Sequence, residues 1–128
     1  VINHFENAND PELLERATKM YLTLPPLPDS KLFPKAVKMA RQTTELRDPT
    51  HPNFTYMAVN RAMAEYRLGE YEEAQRWLEK SDFLLGIPFR AMAAHKLGHL
   101  SKLSDAWAPY QKYRWNLECA GSTALSLT

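Results

Sequence analysis

His95 and His99 stand four residues apart, a spacing that on a helix can bring two imidazoles to one side for zinc. Gly98 interrupts the helix between them and no third ligand is close in sequence, so the pair reads as ordinary surface or packed histidines. The single cysteine, Cys119, lies in no histidine or acid pattern that makes a nucleophile. Without a second thiol it forms no intramolecular disulfide, which fits a reducing, cytoplasmic setting. Arg61 with Glu65, and Glu72 with Arg76, are i,i+4 pairs. Their expected role is to steady helices by roughly 0.2–0.5 kcal/mol each, not to move protons. No glycine-rich phosphate loop, kinase catalytic loop, serine-hydrolase elbow or zinc-protease motif occurs. The expectation is a protein that is not an enzyme, with no metal and no cofactor.

Composition narrows the partner class. Hydrophobic residues make up 45% and charged residues 24% of the 128, an ordinary balance for one folded domain. Sixteen basic and fifteen acidic residues leave a formal charge of +1 with no long basic block, which disfavours nucleic acid and anionic membrane as partners. No apolar run approaches the roughly 18 residues that span a bilayer. The chain starts at Val1 without a leader, so a fragment of a longer protein is expected.

The elements that must position any site are announced by an internal repeat. Arg61-Ala62-Met63-Ala64-Glu65-Tyr66-Arg67-Leu68-Gly69 returns as Arg90-Ala91-Met92-Ala93-Ala94-His95-Lys96-Leu97-Gly98, six of nine positions identical at an offset of 29 residues. Glycine after the last helical leucine suits the left-handed conformation that closes a helix. After Gly69, Glu70, Glu72 and Glu73 place acid at the start of the next helix, where its dipole is positive. Each copy therefore predicts a helix, a very short turn and a second, antiparallel helix. Ala62 and Ala74 let the two backbones approach while Tyr71, Trp77 and Leu78 fill the space around them.

The rest of the chain divides around that hairpin. Residues 1–9, polar apart from Phe5, form a lead-in segment. Asn9-Asp10-Pro11-Glu12 is a helix start, and Leu13, Leu14, Ala17, Met20, Tyr21 and Leu24 follow at helical spacing. Pro25-Pro26-Leu27-Pro28 ends that helix. Asp29 or Ser30 caps a second helix with Leu32, Phe33, Ala36, Val37, Ala40 and Leu46 as apolar positions, closed by Asp48-Pro49-Thr50-His51-Pro52. A third helix is expected from about Asn53 to Leu68 and a fourth from about Glu70 to Leu84. A fifth runs from Gly86-Ile87-Pro88 to near Leu97, and a sixth from Leu100 or Ser101 to about Asn116, broken or kinked at Pro109. The hairpins thus span about 10–47, 53–85 and 87–117. Residues 118–128 form a tail, loose or covering the last hairpin through Leu125 and Leu127.

Tyr66-Arg67-Leu68-Gly69-Glu70-Tyr71-Glu72-Glu73-Ala74, with Ala62 before it and Leu78 after, resembles a tetratricopeptide (TPR) unit. The second copy departs from that pattern, with Leu100 in place of the aromatic, Leu103 in place of the small residue, and an offset shorter than the usual repeat of about 34 residues. Asp10-Pro11, then Glu15-Arg16-Ala17-Thr18-Lys19-Met20-Tyr21-Leu22-Thr23-Leu24-Pro25, and later Ala64-Glu65-Tyr66-Arg67-Leu68-Gly69, look like the C-terminal TPR region of large bacterial serine/threonine protein kinases of planctomycete type and related multidomain proteins. The resemblance implies an all-α fold, a TPR-like right-handed stack of about three antiparallel helical hairpins.

Such a stack puts the first helix of each hairpin on a concave side. In the repeat's register the groove is lined by Tyr56, Asn60, Met63, Tyr66 and Arg67 from the third helix, by Met92, His95, Lys96 and Phe89 from the fifth, and by Tyr21 from the first. Aromatics, arginine and methionine in one strip suit a peptide or protein segment. The competing reading packs Met63, Tyr66 and Met92 between hairpins as core. Asn60 fits a position of the clamp with which some TPR proteins hold a C-terminal carboxylate, but Met63 stands where that clamp has asparagine, so a chaperone-tail ligand is not expected. Positions that differ between the copies, Glu65/Ala94, Tyr66/His95 and Glu70/His99, are where specificity should lie. The expected function is a protein–protein interaction module of a larger signalling protein, the alternative a packing or self-association domain.

Overall fold

A computed structural model describes residues 1–99 together with Ser101, Lys102, Ser104, Asp105, Ala108 and Gln111. Among these residues the structure is all-α: α1 (Ile2–Phe5), α2 (Pro11–Thr23), α3 (Leu32–Leu46), α4 (Phe54–Arg67), α5 (Tyr71–Leu78) and α6 (Gly86–Leu97). The expected sixth hairpin helix, with Leu103, Trp107, Pro109 and Tyr110, and the tail with Cys119 lie outside the described residues or span only isolated positions of them.

Local chemistry explains most boundaries. Asp10 takes extended angles and its carboxylate accepts from the backbone N–H of Glu12 at 3.0 Å and of Leu13 at 3.4 Å, while Pro11 occupies the first turn, where its missing donor costs nothing. The two glycines of the repeat close α4 and α6 alike. Gly69 has φ 86° and Gly98 φ 71°, and in each case the next residue's N–H reaches back five positions, Glu70 to the Glu65 carbonyl and His99 to the Ala94 carbonyl, both at 2.9 Å. These bonds gather the carbonyls of the last turn.

Four expectations need correction. The lead-in segment carries a one-turn helix, α1, because Ile2 as well as Phe5 is apolar, and Ile2 is buried in the core. Neither Asp29 nor Ser30 caps α3: Lys31 precedes it without a side-chain cap, and the Ser30 hydroxyl bonds instead to that of Tyr21 at 2.5 Å. The fourth helix ends at Leu78, not near Leu84. There Ser81 forms its own local turn, its hydroxyl accepting from the Phe83 N–H at 3.1 Å and pairing with Thr55. Finally Arg76 pairs with Glu73, one turn away at 3.3 Å, rather than with Glu72.

α4 is the central element. It packs against α2 and α3 on one side of the chain order and against α5 and α6 on the other, while α1 rests on α2 and α3. Ala58, Ala62, Ala64 and Ala74 are wholly buried, as the small-residue argument requires. Gly86 begins α6 where a Cβ would come within 3.2 Å of both Leu78 and Val59, so α6 enters close against α5 and α4. Leu14, Leu22, Met39, Met57, Met63 and Leu78 fill the remaining interior. Each such side chain contributes about 1.5–3 kcal/mol on burial.

Two ion networks fasten this packing. The Glu65 carboxylate, 2% exposed, receives a forked pair of hydrogen bonds from Arg41 on α3 (2.7 and 3.0 Å) and a third from Arg61 at 3.2 Å. Arg61 also donates to Thr44 at 2.8 Å and lies 4.8 Å from the Trp77 ring of α5, so one cluster ties three helices. Glu12, at the start of α2, is held by Arg47 and by the Asn53 amide at 3.4 Å, which fixes the connector between α3 and α4.

Candidate functional site

Of the residues assigned to a groove, Tyr21 is half-buried with its hydroxyl bonded to that of Ser30, and the others separate into three groups. Asn60, Met63 and Phe89 are buried, and none lines an open groove. The reason is the closeness of α2 to α4: the Asn60 amide donates to the Thr18 hydroxyl at 2.7 Å, and that hydroxyl donates to the Leu14 carbonyl at 2.8 Å. A polar seam thus occupies the space that a peptide would need, and Met63 belongs to the adjoining core. This is the competing reading of Met63, and it holds there.

Tyr66, Arg67 and Met92 are half-buried and form a second group, Tyr66 and Met92 packed against the core and Tyr66 and Arg67 ending α4. The Tyr66 ring meets Tyr71 at 5.2 Å and Phe89 at 5.7 Å, edge-on to the latter, which joins α4 to α5 and α6. The Arg67 guanidinium lies 5.6 Å from the Tyr66 ring and 5.3 Å from that of Phe89. Its donors are committed elsewhere: Nε to the Leu22 carbonyl at 3.1 Å and Nη2 to the Thr23 carbonyl at 2.7 Å. Arg67 therefore closes the C-terminus of α2, where a cation also opposes the negative end of the helix dipole. Burial draws its pKa below the usual arginine value, yet a guanidinium stays charged at neutral pH.

The third group is accessible. His95 and Lys96 are exposed at the end of α6, with Lys96 Nζ 6.0 Å from the Tyr71 ring. Tyr56 is 39% exposed and is held edge-on against Phe83 at 4.8 Å. Lys19 on α2 lies 6.0 Å from the Tyr56 ring and 5.5 Å from that of Phe83, and its ammonium is steadied by Glu15 at 2.5 Å. Sequence reasoning missed Lys19 and Phe83. Lys19 carried one usable signal, its i,i+4 spacing from Glu15; Phe83 was hidden because the fourth helix was drawn through it.

Two clefts open elsewhere. One of about 770 Å³ lies between the segment after α1 and α3, lined by Phe33, Val37, Lys38 and Arg41 among others. The second, about 310 Å³, lies beside α5 and α6 with Gln75, Glu79 and Arg90. Neither contains a residue assigned to the groove. Among the described residues no three histidine, cysteine, aspartate or glutamate side chains gather as a metal site, and both His95 and His99 face solvent. None of the described helices is long and apolar enough to cross a membrane. What the accessible groups offer is an aromatic and cationic surface.

Comparison with protein families, with curated proteins and with solved structures finds no match to this chain.

Proposed function

We propose that this chain is a non-catalytic, TPR-like interaction module of a larger signalling protein, and that it binds a peptide or protein segment across the face formed by α2, α4 and α6. The succession of packed hairpins, with α4 against both α2 and α6, supports the TPR-like reading. The observation that carries the binding role is the Lys19–Tyr56–Phe83 cluster, an aromatic ring fixed by an edge-on neighbour yet left accessible beside a cation. Ordered aromatic and cationic side chains anchor segments at low entropic cost. His95 and Lys96 extend the same chemistry at the far end.

A peptide library selected on the immobilised chain tests this reading. Selected peptides should lose about tenfold in affinity, about 1.4 kcal/mol, with Tyr56→Ala or Lys19→Ala. Unchanged affinity in both variants removes the assignment of this face.

Self-association is a second reading with its own observation. Leu13, Met20 and Leu24 are 39%, 79% and 68% exposed, and their spacing along and just past α2 puts them on one outward stripe. Light scattering should then give a mass above 14.8 kDa that Met20→Glu returns to the single-chain value. A single-chain mass before substitution refutes this second reading.

A further inference from the structure

The loop between α2 and α3 does more than end a helix. Leu24-Pro25-Pro26-Leu27-Pro28 contains three prolines, each with φ fixed near −65°, and three residues that precede a proline and are thereby held out of the helical region. Leu24 leaves α2 extended, at φ −101° and ψ 152°. Together these restraints favour the polyproline II conformation, a helix of about three residues per turn without internal hydrogen bonds.

Exposure follows that period. Leu24 and Leu27, three apart, are 68% and 79% exposed. Pro25 is exposed and Pro26 is half-buried, while Pro28, also exposed, enters the turn that the Ser30 N–H closes on the Leu27 carbonyl. One edge of the segment thus rests on the protein and two apolar edges face out.

Both ends are fixed. Arg67 holds the Leu22 and Thr23 carbonyls at 3.1 and 2.7 Å, just before the segment begins. After it, the Ser30 N–H donates to the Leu27 carbonyl at 3.1 Å, and the Ser30 hydroxyl bonds to Tyr21 at 2.5 Å. Tyr21 lies on α2, so the loop's exit is tied back to its origin. Little conformational freedom remains to be lost on binding.

We propose that this loop is itself a ligand, presented to a partner domain whose groove of stacked aromatic side chains reads polyproline segments. Proline rings and the two leucines fill the furrows between aromatic rings. This surface is separate from the Lys19–Tyr56–Phe83 face, so the chain carries two contacts of different kinds.

Calorimetric titration of the 128-residue chain into a panel of isolated SH3, WW and EVH1 domains tests the proposal. At least one domain should bind saturably, with affinity falling about tenfold in Leu27→Ala and in Pro25→Ala while helical circular dichroism stays unchanged. Both positions are exposed, so neither substitution removes core packing. Tyr56→Ala should leave this binding intact. The proposal is overturned if no domain of the panel saturates, or if affinity survives both loop substitutions. Loss with Tyr56→Ala alone overturns it too and transfers the contact to the α2, α4 and α6 face.

Discussion

Glu65 and Asn60 occupy neighbouring turns of α4, and each is a polar group sealed in the interior at a helix junction. Burial of Glu65 on its own would favour the neutral acid, but the forked bond from Arg41 and the adjacent Arg61 outweigh it and hold the carboxyl below its ordinary pKa. Glu65→Gln leaves two guanidiniums without their counter-charge. Loss of one partner from a fully buried pair costs about 3–5 kcal/mol, whereas Arg41 and Arg61 here retain some contact with solvent. A cost of about 2 kcal/mol is therefore expected, read as a lowered denaturant midpoint with unchanged slope. A near-neutral Glu65→Gln shows the cluster to be incidental. Asn60 allows a sharper separation, because its amide nitrogen bonds Thr18 while its buried carbonyl oxygen meets no hydrogen-bond donor among the described residues. Asn60→Ala should cost about 1–3 kcal/mol of stability and leave the affinity of face-binding peptides intact, whereas Tyr56→Ala should do the reverse. Equal effects of the two on affinity would restore Asn60 to a groove.

The elements were legible wherever a local rule decides them. Asp10-Pro11 fixes the start of α2, and the glycines after Leu68 and Leu97 fix the ends of α4 and α6, because capping depends on the type of one or two residues. Among the described residues nothing lies within 4 Å of a Cβ built on Gly69 or Gly98, so alanine at either meets chiefly the backbone cost of the left-handed conformation. Gly69→Ala and Gly98→Ala should each lower stability by about 1–2 kcal/mol, with thermal unfolding as the measure. Unequal costs would mean that the two copies do not close by the same device. The end of α5 was not legible: Glu79 to Phe83 contain no proline or glycine, and the competing turn rests on the Ser81 hydroxyl and its contact with Thr55, twenty-six positions away in sequence. The site suffered for the same reason. Repeat register identifies a helix face but not how near its neighbour stands, and the Thr18–Asn60 bond that shuts the groove depends on that distance. Tyr56, near the start of α4, and Lys96, near the end of α6, are exposed.

At the scale of the molecule, stability depends on carboxylates that are more acidic when folded than when unfolded. For Glu12 desolvation pushes upward, but hydrogen bonds from Arg47, Asn53 and the backbone prevail and bring its pKa from 4.5 to about 2. Glu65 and Asp48 shift in the same direction, Asp48 through its bonds from Thr50. A depressed folded pKa means that the unfolded chain binds protons first as acid is added, so stability is fully present above about pH 4.5 and is lost progressively toward about pH 2. The three groups act at different places: Glu12 links α2 to the α3–α4 connector, Glu65 joins α3 to α4, and Asp48 orders the connector itself. Acid should therefore loosen the first hairpin from α4 before it affects the closure of α4 on α5, which rests also on buried alanines, a glycine and the Tyr66–Tyr71 contact, none of which titrates in acid. Hydrogen exchange at about pH 3 should show protection falling first at α2 and α3, with α4 and α5 following. Glu12→Gln should flatten the fall in thermal midpoint between about pH 4.5 and about pH 2, since its amide does not gain a proton in that range. An unchanged slope in that variant would detach Glu12 from acid unfolding and leave Glu65 as the group through which the first hairpin is held to the rest.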